Sequence, residues 1–527
     1  MNSQNHAALQ TLDSDRTLTS LTGQVAEGVA EEALVLTIAF HPDTRRIGET
    51  AVMPPLSNSD QWSLCRLSPL FCAGESRSPL GERDLSRRAL LLQFRGDKLL
   101  IRRETGSSRC RVDGRELSEC CELSPSQLKN GVRLLLGHST VLLLRLTTQL
   151  QLETNGQAPA GMIGQSAYMQ GLGSLVQRLA VSNLDVLIRG ETGTGKEMVA
   201  NAIHRLSSRA SKDIVSINMA AIPSGLAATT LFGSAKGAFT GATRSASGFF
   251  LHAQGSTLFM DEIGDTPAEV QPQLLRALQQ REIQEVGGAI RKIDLRIISA
   301  TDADLDDATC SFNAALRHRL AAGEVQLLPL RDHPEDIGDL AWHFLQQHAE
   351  DLGSEALLPD VAASAATVAF WANVFYRFLG YQWPGNVREL SNAVSQILMA
   401  STDKLSLPTN VVRTLTHRHS SEMATDAVTV TSRRALREVP ESEFLDALHT
   451  CEYEVAKVAR RLRVSRQAVY RRLHDAVDFR LASQVPEAEL EQVLTRHDGD
   501  THAAALDLKV SASGLRMRLR TSSLAWH

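Results

Sequence analysis

Between Gly190 and Glu197 the chain reads Gly-Glu-Thr-Gly-Thr-Gly-Lys-Glu, directly after the apolar stretch Leu184–Arg189 and before a helix-like segment. This is the arrangement of a phosphate cradle. Backbone N–H groups of a glycine turn and the N-terminus of a helix surround the anion, and a lysine adds a point charge at the β and γ oxygens. Gly190, Glu191, Thr192, Gly193, Thr194, Gly195, Lys196 and Glu197 are therefore the candidate nucleotide-binding residues. Glu197 stands where a Ser or Thr hydroxyl usually reaches the metal, so Mg2+ must be held another way. About 65 residues beyond Lys196, the run Thr257-Leu-Phe-Met ends in Asp261-Glu262. Asp261 can position Mg2+ and Glu262 can polarise the attacking water. A glycine loop alone is a weak signal. Loop, strand-end acid pair and their order together specify a nucleoside triphosphate site, which a helix cap beside an exposed acidic pair would not explain.

Such residues need a parallel α/β sheet to position them. Strand-like and helix-like stretches alternate from 162 onwards (LDVLIRG, EMVANAIHRLS, IVSINM, STLFMDEIGD, VQPQLLRALQQ, DLRIISAT). That order predicts an α/β P-loop domain over 162–328 with a helical lid over 329–405. Ahead of it, 31–150 carries the short apolar runs LVLTIAF, ALLLQF, KLLIRR, VRLLLGH and TVLLLRL between turn residues, which predicts an all-β sandwich. Residues 1–30 are expected to be disordered, with linkers at 151–161 and 406–438. The end of the chain is expected to be all-α and duplicated. Shifted by 46 residues, Pro440–Leu473 lies on Pro486–Leu519 without a gap, with 10 of 34 positions identical, among them Leu448/Leu494, Ala459/Ala505 and Leu462/Leu508.

At 527 residues the chain is too long for one core, and 43% hydrophobic with 22% charged residues is ordinary globular composition. No apolar run approaches a membrane span, and the polar start MNSQNHAALQ lacks the regions of a signal peptide. Seven scattered cysteines without metal-type spacing read as reduced thiols of a cytoplasmic protein. The net charge of −5 hides a local excess: Val455–His474 holds seven Lys or Arg and no acid.

One more stretch is unusual. Gly233–Phe250 reads GSAKGAFTGATRSASGFF, in which Phe239 is the one large apolar residue of a glycine-flanked segment without periodicity. This predicts a mobile loop with an apolar tip. GETGTGKE, GAFTGA, LFMDEIGD and WPGNVREL (Trp383–Leu390) occur together and in this order, and the chain closely resembles the bacterial enhancer-binding proteins, the AAA+ activators of sigma-54 RNA polymerase. The resemblance covers about 163–400. It implies an AAA+ ATPase that assembles as a ring, expected to be a hexamer. Gly237, Ala238, Phe239, Thr240, Gly241 and Ala242 would form the loop that touches sigma-54. The resemblance also implies that Asn218 holds Glu262 until ATP is sensed, that Thr301 and Arg388 are the first and second sensors, and that Arg319 reaches the neighbouring subunit's ATP. The chain departs from the family at Asn313, where a first arginine finger is expected, and at Asp302, which replaces an Asn beside the sensor threonine. It also departs at Thr230, Ser234 and Ala235, just before the loop. Arg317 is a weak substitute finger. These departures point to retuned coupling or a weak ATPase.

In the basic block, Ala459, Leu462, Val464 and Val469 have helix-turn-helix core spacing, and the segment resembles the Fis-type module of the same activators. Double-stranded DNA is the expected partner over 439–476. Ser465 would cap the recognition helix, Arg466, Gln467, Tyr470 and Arg471 would face the major groove, and Arg472 would lie near phosphates. The second copy, 486–522, is degenerate, with Gly514 in its third helix. The N-terminal region resembles a forkhead-associated domain, which reads phosphothreonine. Arg66, Ser86 and Arg87 could hold the phosphate of a threonine-phosphorylated protein, although Ala89 and Asp113 replace the histidine and asparagine of that pattern. Two other readings stay open. One is a DNA-binding repressor or scaffold that barely hydrolyses ATP, which Asn313 favours. The other is a AAA+ remodeller of another protein, which the intact GAFTGA disfavours.

Overall fold

The computed structural model describes residues 32–53, 61–148 apart from 75, 158–238 apart from 160, 245–306, 312–359, 363–416 apart from 402 and 403, and 440–518 with breaks at 452, 454, 463–468, 470–471, 473–484, 486, 498–499, 509, 512–514 and 516–517. The expected disorder at 1–30 lies outside these residues. The chain forms two units, Met1–Arg418 and His419–His527.

The first unit opens with a two-sheet sandwich. All five apolar runs singled out in the sequence become strands. One sheet runs, edge to edge, Ser76–Ser78, Phe71–Ala73, Thr50–Met53, Glu32–Phe40, Thr140–Thr148, Val132–Leu136, Cys110–Val112 and Arg115–Glu116. The other runs Cys120–Leu123, Lys98–Arg103, Leu90–Arg95 and Gln61–Leu64. Leu36, Ile38, Leu92, Leu99, Leu134 and Leu142 fill the space between them. The long strand Glu32–Phe40 is buried along nearly its whole length, not on one face alone. Its end serves a second core: Ala39 and Phe40, with Ile47 beyond the strand, belong to the same buried cluster as Trp371, Phe375, Phe378 and Leu390 of the lid.

A five-stranded sheet follows, in the order Val215–Asn218, Thr257–Asp261, Arg296–Thr301, Val186–Arg189, Gly323–Gln326, with every pairing parallel. Parallel strands covered by helices are buried on both faces, which is why Arg296–Thr301 is buried at every position. The C-terminal ends share one edge, where open α/β sheets place their ligands. The lid is built from helices Ile337–Leu352, Ala365–Phe378 and Asn386–Ala400. It continues beyond the boundary expected at 405. Thr409–Thr416 is a further helix with Val411 buried in the lid core, so the start of the expected linker 406–438 is part of the fold.

The second unit holds two helix pairs, Glu441–Thr450 with Val455–Leu462 and Glu487–Arg496 with Thr501–Asp507. The 46-residue repeat reappears in their cores. Phe444, Ala447, Leu448, Val458, Leu462 and Val469 are buried in one cluster, and the equivalent Leu490, Val493, Leu494, Ala504, Leu508 and Leu515 in another.

Candidate nucleotide-binding site

The glycine turn leaves the strand Val186–Arg189 and enters the helix Lys196–Arg205. Gly193 and Gly195 have φ of 82° and 96°, a left-handed backbone that favours glycine. A Cβ on Gly193 would also collide with the Gly385 carbonyl oxygen. Gly195 is the helix N-cap and offers no side chain to the first-turn N–H groups, which are left for an anion. Lys196 is buried, and its Nζ donates to the Gly190 carbonyl at 3.0 Å and lies 3.8 Å from Glu262 Oε1. Thr194 turns its hydroxyl back to the Glu191 carbonyl at 2.8 Å. Glu197 is exposed in the helix's first turn. These residues fit a polyphosphate: two of the turn's glycines have a left-handed backbone, the helix N-terminus is uncapped, and one buried ammonium lies against the turn.

The acid pair lies on the same sheet edge. Asp261 ends its strand, and Glu262 follows with φ 49°, a left-handed conformation that a non-glycine residue seldom adopts outside constrained sites. Burial raises the Glu262 carboxyl above its usual range; Lys196 opposes this, and Asp302 and Asp261 add to it. Asn218 Nδ2 donates to Asp261 Oδ2 at 3.4 Å, not to Glu262 as expected. The main-chain donor on Glu262 Oε2 is instead Asp302 N, at 3.4 Å. Among the described residues no three His, Cys, Asp or Glu side chains form a metal cluster. Mg2+ keeps several waters and takes one or two carboxylates plus phosphate oxygens; Asp261, at the strand end, is a carboxylate that could serve.

Thr301 ends the strand beside the glycine turn, and its carbonyl accepts Gly190 N at 3.2 Å. Arg388 is exposed, and its Cβ lies 3.2 Å from where a Cβ on Gly193 would stand. Two lid residues that the sequence reading missed hold the turn more directly. Asn386, fully buried, donates through Nδ2 to the Thr192 carbonyl at 3.0 Å and to Glu191 Oε2 at 3.2 Å, and accepts Leu330 N at 2.8 Å. Arg331 forms a two-pronged pair with Glu191 at 2.6 and 2.9 Å, which holds the Glu191 carboxyl below its usual range.

Arg319 is exposed, and within the chain its guanidinium donates to the Leu278 carbonyl at 3.1 and 3.3 Å. Asn313 is the N-cap of helix Ala314–Leu320, its Oδ1 accepting Leu316 N at 3.1 Å. Arg317 is tied to Asp306 at 2.7 Å.

Residues 162–326 match the family described as Sigma-54 interaction domain. Residues 331–427 match the AAA+ ATPase lid domain. The glycine turn, Asp261, Glu262, Thr301 and Arg319 all fall within the Sigma-54 interaction domain, and Arg388 in the AAA+ lid. Over 246 residues the chain is 45% identical to the DNA-binding transcriptional regulator NtrC of Salmonella typhimurium, covering 46% of this chain and 50% of that protein. NtrC of Escherichia coli is 42% identical over 275 residues, 50% of this chain and 56% of that one. The chain thus spans about half the length of the curated relatives it matches. A crystal structure of NtrX from Brucella abortus in complex with ATP aligns over 60% of this chain and 69% of that one, at 28% identity and a TM-score of 0.41.

Of the loop within the Sigma-54 interaction domain, Gly237 and Ala238 are described; Phe239, Thr240, Gly241 and Ala242 lie outside the described residues. The loop's base is clamped: Ala235 N donates to the Val286 carbonyl and Val286 N to the Gly233 carbonyl, both at 3.0 Å. Of the DNA candidates, Ser465, Arg466, Gln467, Tyr470 and Arg471 lie outside the described residues, and Arg472 stacks over the Phe444 ring at 4.7 Å. In the sandwich, Arg66 N donates to the Ser86 carbonyl at 3.1 Å, and Ser86 Oγ to the Gly106 carbonyl at 2.8 Å, with Arg87 exposed. Asp113 directly follows strand Cys110–Val112 and accepts Arg133 N at 3.1 Å beside the lid. Among the described residues no helix is long and apolar enough to cross a membrane.

Proposed function

We propose that the chain is an ATP-driven transcription activator acting on sigma-54 RNA polymerase. It binds DNA upstream of the promoter through 439–476, assembles as a ring, expected to be a hexamer, and hydrolyses ATP between subunits. The GAFTGA loop, Gly237–Ala242, works on sigma-54 to open the promoter. The observation that carries this reading is the Gly190–Lys196 cradle facing Asp261 and Glu262 within a stretch matching the Sigma-54 interaction domain.

The chain's own residues divide the work. Backbone N–H groups of the glycine turn and Lys196 bind the phosphates, Asp261 would hold the metal, and Glu262 takes a proton from the attacking water. Bound Mg2+ neutralises phosphate charge. Thr301 and Arg388 read the nucleotide from sheet and lid, and Arg319 serves the neighbouring subunit. Arg66, Ser86 and Arg87 form the anion-binding corner of a sandwich that receives a threonine-phosphorylated protein.

The test is promoter opening in vitro by sigma-54 holoenzyme on a template carrying an upstream site, with the full chain and either ATP or a non-hydrolysable analogue. Opening should need hydrolysis and disappear on deletion of Gly237–Ala242. Holoenzyme indifferent to the protein would refute the reading. A second reading, a DNA-bound scaffold with little ATPase, is favoured by one observation: Asn313 is committed to capping its own helix.

A further inference from the structure

Asp302 occupies a position that the proposed function does not use. Its carboxylate accepts the hydroxyl of Thr192, in the glycine turn, at 2.7 Å. Its backbone N–H faces Glu262 Oε2 at 3.4 Å. One residue therefore touches both the phosphate cradle and the candidate base. It also heads an alternating acidic strap, Asp302-Ala-Asp304-Leu-Asp306. Arg189 grips the strap at Asp304 and Asp306, at 2.9 Å each. Asp306 is further bonded to Arg317, on the helix that bears Arg319, at 2.7 Å. Polar contacts at Asp302, Asp304 and Asp306, joined by the strap's own backbone, thus link Thr192 to helix Ala314–Leu320.

We propose that Asp302 is a positioning residue that responds to the charge of the nucleotide. This rests on the nucleotide-site reading above. The charged group that faces it is Glu262, on the repulsive side. A polyphosphate in the turn sets a like charge against the Asp302 carboxylate and competes for the Thr192 hydroxyl. Asp302 then leaves Thr192, its N–H leaves Glu262, and the strap passes the displacement to Arg317 and the Arg319 helix. Without nucleotide the same contacts restrain Glu262. Asparagine at 302 keeps the geometry and loses the repulsion.

The test is equilibrium binding of MgATP to the full chain, followed with a fluorescent ATP analogue, for wild type, Asp302→Asn, Asp302→Ala and Asp306→Asn. Asp302 is exposed and Asn is nearly isosteric with an acceptor oxygen retained, so folding should be preserved; matching melting curves check this. Like charges several ångströms apart at a solvated site imply that Asp302→Asn tightens binding by about threefold or more. Asp302→Ala should tighten it similarly, which loss of a merely structural hydrogen bond would not do. Asp306→Asn should leave the dissociation constant unchanged and lower kcat without moving KM. Equal or weaker binding by Asp302→Asn, with wild type still binding, overturns this inference alone. If wild type binds no MgATP, the nucleotide reading falls and this inference with it.

Discussion

The rings of Phe40, in the sandwich, and Phe375, in the lid, pack with centroids 4.9 Å apart inside one buried cluster. Around them Gly114 N donates to the Tyr376 hydroxyl, Arg133 stacks on the Tyr376 ring at 4.7 Å, and Arg145 pairs with Glu335 at 2.7 Å. The sandwich is joined to the lid by a shared core and not by a linker alone. Phe375→Ala should therefore cost about 3–5 kcal/mol. Scanning calorimetry should show sandwich and lid melting together at a lower temperature. Two separate transitions, with only one shifted, would contradict the shared core.

The capping role of Asn313 carries a second prediction. Losing an N-cap costs about 1 kcal/mol, so Asn313→Ala should lower the urea midpoint and Asn313→Asp should not. Asn313→Arg would place a guanidinium where the family expects a finger, with the same loss of capping. Equal midpoints for the Ala and Asp variants would show that the cap contributes nothing.

Asp339 gives stability a pH dependence. Burial, with Asp336 adding and Gln165 opposing, raises its carboxyl from 3.8 to about 7. Between pH 4 and 7 the folded chain then holds a proton that the unfolded chain has released. This group's contribution to stability is complete below pH 4 and falls as pH rises, by at most about 1.4 kcal/mol per pH unit across that window. Asp339→Asn should remove the loss and raise stability at pH 8 more than at pH 5. Denaturation at the two pH values checks this, and a variant effect that is the same at both would count against it.

The repeated helix pairs have separate cores, which predicts additivity. Leu448→Ala and Leu494→Ala should each destabilise by about 2–5 kcal/mol. The double variant should equal their sum within about 0.5 kcal/mol. A coupling of several kcal/mol, measured by a double-mutant cycle, would mean that the two cores are one.

Much of the candidate site was legible because its signals are local. Gly193 and Gly195 mark a backbone that favours glycine, and Asp261-Glu262 ends a buried strand. The repeat was legible because its register is carried by core residues such as Leu448 and Leu494. The shared core was not. Phe40 and Phe375 are far apart in sequence, and a strand buried on both faces reads the same whatever covers the second face. Asn386 and Arg331 escaped for a similar reason: they reach the glycine turn across the lid boundary, and nothing in WPGNVREL says which partner the Asn amide will find. The cap at Asn313 did have a local signal, since an Asn directly before Ala-Ala-Leu-Arg favours the start of a helix, but a family pattern with arginine at that position masks it. Asn218 contacts Asp261 and not Glu262 because a shared sheet edge does not fix which of two adjacent carboxylates an amide meets.

The most direct measurement is ATP turnover per subunit against protein concentration, for wild type and Arg319→Ala. Hydrolysis shared between subunits predicts turnover that rises with concentration as subunits assemble, and a loss of about 10³-fold in the variant. Turnover independent of concentration, or an Arg319→Ala variant as active as wild type, would contradict it.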